Sequence, residues 1–195
     1  VDAAEDYNEY MSLAYLESLR FVISNTTEAG ITLNESDKFD GLPGSYPGKL
    51  TKFLYERFKA FGGDTSKGLI ILPVELIDNN GKELKRCVKA LTKIWNLGDE
   101  FDAWLENANV FCSTLVDRIV TGYPRNEAEK ICGELGYEDK LLDVGEPFGL
   151  WVVESDRDIS AELPFEKAGL PVVFTDNVKP YKDRKVRVLN GAHTA

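Results

Sequence analysis

The chain has 195 residues, 43% of them hydrophobic and 29% charged, which is ordinary globular composition and enough to bury a core as one large domain or two small ones. Its formal net charge of −10 argues against a nucleic-acid or anionic-membrane partner, because phosphate binding needs clustered cations. No apolar run approaches the ~18 residues of a spanning helix and no signal-peptide pattern is visible, while Cys87, Cys112 and Cys132 are odd in number without C-x-x-C spacing, so the expectation is reduced thiols in a cytosolic protein and no metal site.

From Asp6 to Leu19, Tyr7, Tyr10, Met11 and Ala14 recur at helical spacing among acidic residues. The pattern then changes to a short apolar run, Arg20 to Asn25, as expected of a buried strand. It ends in a small polar loop, Ser24-Asn25-Thr26-Thr27-Glu28-Ala29-Gly30. In an open α/β sheet, the loop at a strand's carboxyl end is where ligands bind, which makes Ser24, Asn25, Thr26, Thr27 and Glu28 candidates to line a cofactor cleft. A plain turn has the same spacing.

Residues 34–48 are rich in Gly, Pro, Ser and Asp and read as loop. Gly48-Lys49 suggests a phosphate loop, but Pro43 stands where the first glycine belongs and Leu50 where the hydroxyl belongs, so Pro47 is read as opening a helix through Phe53, Leu54, Arg57 and Phe58. Gly68 to Val74 is the strongest strand, apolar up to Pro73. A helix carrying Leu84, Val88, Leu91 and Trp95 follows, then one with Phe101, Trp104 and Leu105. Strand, loop and helix in this order predict an α/β fold with parallel strands. Val110 to Val120 mixes apolar residues with a charge pair, Asp117 and Arg118, which as an edge ion pair would have little energetic weight. A helix is expected around 127–135, and further strands over 146–154 and 170–174.

The last stretch, Lys179 to Thr194, begins with Pro180 at a helix start and holds the only histidine of the chain. At about 100° per residue, Lys185, Asn190 and His193 fall within an arc of roughly 140°. One helix face thereby presents an amine, an amide and an imidazole, the groups needed to move a proton on or off a hydroxyl. A solvated structural face carries the same residue types. Lys182 lies one turn from Lys185 on nearly the same side.

Four segments resemble, in order, the signatures of the polyol-specific long-chain dehydrogenases and reductases. They are Thr27-Glu28-x-Gly30, Val116-Asp117-Arg118-Ile119, Glu146-Pro147-Phe148-x-x-Trp151-Val152 and Lys185-x4-Asn190-x2-His193. The resemblance covers nearly the whole chain. It implies part of a Rossmann-like NAD-binding domain over 1–178, with 179–195 as the first helix of a mainly helical C-terminal domain. It also implies NAD as cofactor along the 24–28 loop and Lys185 as general acid and base. Asn190 would hold the developing alkoxide, His193 would orient the substrate oxygen, and Asp117 would stand near the lysine.

Segments 24–31, 111–125 and 189–194 are most similar to the members that interconvert D-altronate and D-tagaturonate in bacterial hexuronate metabolism. Polyol members carry glutamate at the place of Lys182. A cation there, with Arg118 and Arg125, suits a sugar acid's carboxylate. Leu76, beside Glu75, stands where polyol members carry a second alkoxide donor.

The family's Gly-rich fingerprint is absent, the chain starts at Val1 without methionine, and it stops at Ala195 within a helical pattern. The expectation is therefore an internal piece of a longer protein. Two rival readings stay open: a fructuronate- or mannitol-type reductase of the same family, and a non-catalytic α/β module that keeps the terminal helix for packing.

Overall fold

The computed structural model describes residues 2–185 and 187. Helix α1 (Tyr7–Ser12) passes into a 3-10 turn at Leu13–Tyr15 and leads to strand β1 (Phe21–Ser24). The helical periodicity that runs on to Leu19 is not realised because the Arg57 guanidinium takes the carbonyls of Ala14, Leu16 and Leu19 at 2.9–3.0 Å, together with that of Lys67 at 2.7 Å. A side chain from the next helix thus draws these acceptors out of the helical ladder.

That helix is α2 (Tyr46–Ala60), capped by Ser45, whose Oγ accepts from Gly48 N at 3.0 Å, with proline in its first turn. The preceding loop is organised by Asp37, whose carboxylate accepts from Asn34 Nδ2 and from the amides of Gly44 and Ser45. The apparent phosphate loop is therefore a helix cap.

Strand β2 (Ile70–Pro73) is wholly buried and pairs in parallel with β1, from Phe21↔Ile70 to Ser24↔Pro73. Helices α3 (Asn80–Ile94) and α4 (Asp99–Ala108) follow, and β3 (Val110–Phe111) pairs in parallel with β2. Leu69 and Ile71 face a core of Leu54, Leu84, Val88, Phe101 and Leu105, whereas Ile70 and Leu72 face Val110, Cys112, Val153 and Ile159. The two-residue side-chain period of a strand buries both faces of this sheet.

After Cys112 the chain continues as β4 (Ser113–Asp117), which pairs antiparallel with β7 (Leu150–Glu154), itself parallel to β8 (Val172–Thr175). The all-parallel layout expected from the sequence is thus interrupted at β4–β7. The intervening chain returns through an excursion of β5 (Val120–Gly122), α5 (Ala128–Leu135) and β6 (Val144–Gly145), with β5 and β6 antiparallel. Residues 146–149 stay outside the strand expected over 146–154. Pro147 lacks an amide donor, and Arg118 takes the carbonyls of Pro147 and Phe148. Helix α6 (Lys179–Arg184) packs Tyr181 against the Leu115, Val152 and Val178 cluster.

Candidate functional site

A cleft of about 610 Å³ opens at the carboxyl end of β2, between the Val74–Asn79 loop, the end of β4 and the inner face of α6. Its floor is held by Asn80, which is 1% exposed. The Asn80 side-chain Nδ2 shares its two hydrogens among the carbonyls of Pro73, Glu75 and Thr114 at 3.0–3.1 Å, and Oδ1 accepts from the Thr114 and Gly81 amides at 2.8 and 2.9 Å. One side chain thus pins the loop after β2 to β4. Asn79 adopts the left-handed conformation at φ 52°, and a Cβ on Gly81 would lie 2.1 Å from the Cys112 carbonyl oxygen. That turn requires the glycine for close approach.

Lys185 projects from the continuation of α6 into this cleft. Its ammonium donates to the Val116 carbonyl at 3.0 Å and forms an ion pair with Asp117 Oδ1 at 3.1 Å. The two side chains are only 17% and 14% exposed. An ammonium has three donors, and these contacts engage at most two of them, so among the described residues at least one hydrogen remains for an oxygen in the cleft. The structure brings the expected lysine and aspartate together, although they are far apart in sequence. Asn190 and His193 lie outside the described residues.

The other expected site residues are distributed more widely. Lys182 lines the cleft and pairs with Asp78, whose side chain is 80% exposed. Arg118 also lines it, with Nε donating to Phe148 O at 2.9 Å and Nη2 to Pro147 O at 3.3 Å. Arg125 is exposed and is not part of the wall. Ser24 is buried and donates to Glu75 Oε2 at 3.0 Å, while the Thr26 hydroxyl and amide donate to Glu75 Oε1 at 2.8 and 3.1 Å. The side chains of Asn25, Thr27 and Glu28 are exposed. The 24–28 loop does not wall the cleft itself but is tied to it through Glu75, which does.

Sequence reasoning missed Glu75, Asn80 and Glu154. A buried glutamate after a strand and an asparagine before a glycine are legible only as turn residues; their partners come from elsewhere in the chain. Glu154, on β7, accepts from Lys82 Nζ at 2.7 Å and from the Val178 amide at 2.8 Å, directly before α6. Burial alone would raise its carboxyl pKa. The bonds from Lys82 and Val178, with the Lys82 charge, outweigh that and hold it below the ordinary value. Burial pushes the Cys112 thiol up to about 11, as expected of an inert core cysteine. Among the described residues no group of three or more His, Cys, Asp or Glu side chains is placed to hold a metal, and no helix is long and apolar enough to cross a membrane.

Comparison with known proteins agrees with this architecture. Residues 2–167 match the family model of the mannitol dehydrogenase Rossmann domain. The altronate oxidoreductase of Enterobacter sp. (strain 638) is 50% identical over 196 aligned positions, covering 100% of this chain and 41% of that protein. The altronate oxidoreductase of Shigella flexneri is 51% identical with the same coverage. The chain thus spans about two fifths of the length of these relatives. Among solved structures, D-sorbitol dehydrogenase in substrate-free form superposes with a TM-score of 0.76 at 24% identity, covering 98% of this chain and 40% of that one. Pseudomonas fluorescens mannitol 2-dehydrogenase, solved as a ternary complex with NAD and D-mannitol, gives 0.71 at 22% identity with the same coverage. At these identities the two structures speak for the fold.

Proposed function

Because this chain belongs to the mannitol dehydrogenase family, through its Rossmann domain, we propose that the protein carrying it is an NAD-dependent oxidoreductase that interconverts D-altronate and D-tagaturonate. The substrate assignment is supported by 50% identity along the whole chain to relatives named altronate oxidoreductase. The observation that carries the chemistry is the Lys185 ammonium. It is held by Val116 O and Asp117 at the edge of the cleft with a donor to spare.

The chain's residues suit a dinucleotide. The loop after β1 lies at the carboxyl end of parallel strands, exposes the polar side chains of Asn25 and Thr27, and is fixed from beneath by Glu75 through Ser24 and Thr26. When bound, NAD supplies or accepts the hydride at the substrate carbon. Lys185 does the complementary work at the oxygen. In the reductive direction its ammonium gives a proton to the carbonyl oxygen as charge develops there, and in the oxidative direction the amine takes the hydroxyl proton. Asp117 keeps the lysine directed at the cleft. Asn190 is assigned to the developing alkoxide and His193 to orientation of the substrate oxygen.

Lys182 is assigned to the substrate carboxylate. Its partner Asp78 is exposed, so exchanging that contact for a substrate contact costs little. Arg118 is the second candidate for this role, and Arg125, exposed outside the wall, is the third. In this reading residues 1–178 belong to the nucleotide-binding domain and 179–195 begin the substrate domain. The protein is assigned to the cytosol, which suits its three thiols.

The test is oxidation of NADH and NADPH by the full-length protein with D-tagaturonate, D-fructuronate and an uncharged ketose. The expected result is turnover with NADH and a preference for tagaturonate in kcat/KM. A preference for fructuronate or for the uncharged ketose reassigns the substrate, and absence of turnover with all three refutes the enzyme reading.

A further inference from the structure

Glu154 is a largely buried carboxylate that neither the proton-transfer scheme nor the loop after β1 uses. Glu154 ends β7 with its side chain 12% exposed, opposite Ser113 of β4 and beside Thr175 of β8. Its Oε2 accepts from the Val178 amide at 2.8 Å and its Oε1 from Lys82 at 2.7 Å. Val178 is the residue before α6, and its side chain is buried with Leu115 and Val152.

The segment from Val178 to Lys185 is therefore fixed at both ends to the same antiparallel strand pair. β7 holds its start through Glu154, and β4 holds its end through Val116 O and Asp117. At ~1.5 Å rise per residue the two fixed points are about 10 Å apart along the helix. Slippage by one residue would turn every side chain by about 100° and carry Nζ out of the cleft. Lys82 belongs to α3, so its bond to Glu154 does not reach α6, and the Val178 contact is the one that anchors that helix.

We propose that Glu154 is a positioning residue for Lys185, its carboxylate fixing the start of α6 so that the ammonium meets the reacting oxygen. The inference rests on Lys185 being the proton-transfer group.

The experiment uses full-length protein carrying Glu154→Ala or Glu154→Gln, each in the wild-type and Lys185→Ala backgrounds. It reads single-turnover NADH oxidation with tagaturonate, NADH affinity, and hydrogen exchange of the amides from Val178 to Lys185. Glu154→Ala is expected to lower the rate about ten- to a hundredfold with NADH affinity changed less than about twofold, because misplacement by about an ångström is costly. Glutamine can still accept from the Val178 amide but without the carboxylate's charge, so Glu154→Gln should recover at least half of that loss on a logarithmic scale without reaching the wild-type rate. In the Lys185→Ala background neither variant should slow the reaction further. The Val178 amide should exchange at least about tenfold faster in Glu154→Ala.

Losses of equal factor in both backgrounds would mean that Glu154 acts on the structure at large and would overturn the proposal, as would unchanged exchange at Val178. Should Glu154→Ala fail to fold, Glu154→Gln carries the comparison, with a measurable loss required in the wild-type background and none in the other. If the wild-type protein reduced none of the ketoses, the reading of Lys185 would fall. Exchange at Val178 would then still decide whether Glu154 anchors the helix.

Discussion

Replacing Asp117 by asparagine removes one charge from the cleft while keeping the side chain's size. Asp117 Oδ1 lies 3.1 Å from the Lys185 ammonium, and the two side chains are 14% and 17% exposed. An exposed pair of this kind contributes about 0–1 kcal/mol, and breaking a buried one costs about 3–5 kcal/mol. The partial burial here places the loss between those limits, at about 1–3 kcal/mol. If that loss falls on the transition state, it corresponds to a decrease of roughly 5- to 150-fold in rate, at ~1.4 kcal/mol per decade. The assay is kcat of the full-length Asp117→Asn protein with saturating NADH and tagaturonate, alongside KM for NADH. The expected outcome is a fall in kcat with KM for NADH unchanged. A kcat within about twofold of wild type, or a loss confined to KM for NADH, would show that Asp117 does not hold Lys185 for the reaction.

Arg57→Met should destabilise the fold by at least about 3 kcal/mol, since the carbonyls of Ala14, Leu16, Leu19 and Lys67 lose their donor; an unchanged urea midpoint would refute this. Gly81→Ala should cost about 1–3 kcal/mol or more, because the new Cβ would meet the Cys112 carbonyl oxygen. Thermal unfolding indistinguishable from wild type would mean that the turn between β2 and α3 adapts. The Glu154 carboxyl has its folded-state pKa below the unfolded value, so the native state binds fewer protons and the carboxylate's contribution is full above the unfolded pKa of about 4.3. As pH falls through the lower, folded value that contribution is lost. The stability difference between wild type and Glu154→Gln should therefore be constant near neutrality and shrink on acidification below that range. A difference that grows on acidification would give the shift the opposite sign.

The buried strands were legible because continuous apolar runs such as Leu69 to Leu72 have few other ways to satisfy burial on two faces. The antiparallel step at β4–β7 was not legible. Strand direction there depends on how the 118–149 excursion returns, and local periodicity carries no information about that. Likewise the helix expected up to Leu19 ends early because of Arg57, a residue whose role depends on carbonyls about 40 positions away.

Within the candidate site, Lys185 and Asp117 were legible through family signatures, since a separation of 69 residues between Val116 and Lys185 hides the contact from any spacing argument. Glu75 and Asn80 were invisible for the same reason. Glu75 gathers Ser24 and Thr26 across parallel strands, and Asn80 joins the end of β2 to β4. The assignment of the 24–28 loop by strand topology located a segment that the fold ties to the cleft through a carboxylate.

The role of Lys185 is tested most directly by the single-turnover rate of hydride transfer from pre-bound NADH to tagaturonate in full-length Lys185→Ala protein, measured with its NADH affinity. Loss of the proton donor should slow the reaction by about 10²–10⁴-fold and leave NADH affinity within about twofold of wild type. A rate within about threefold of wild type at equal NADH occupancy would contradict proton transfer by Lys185.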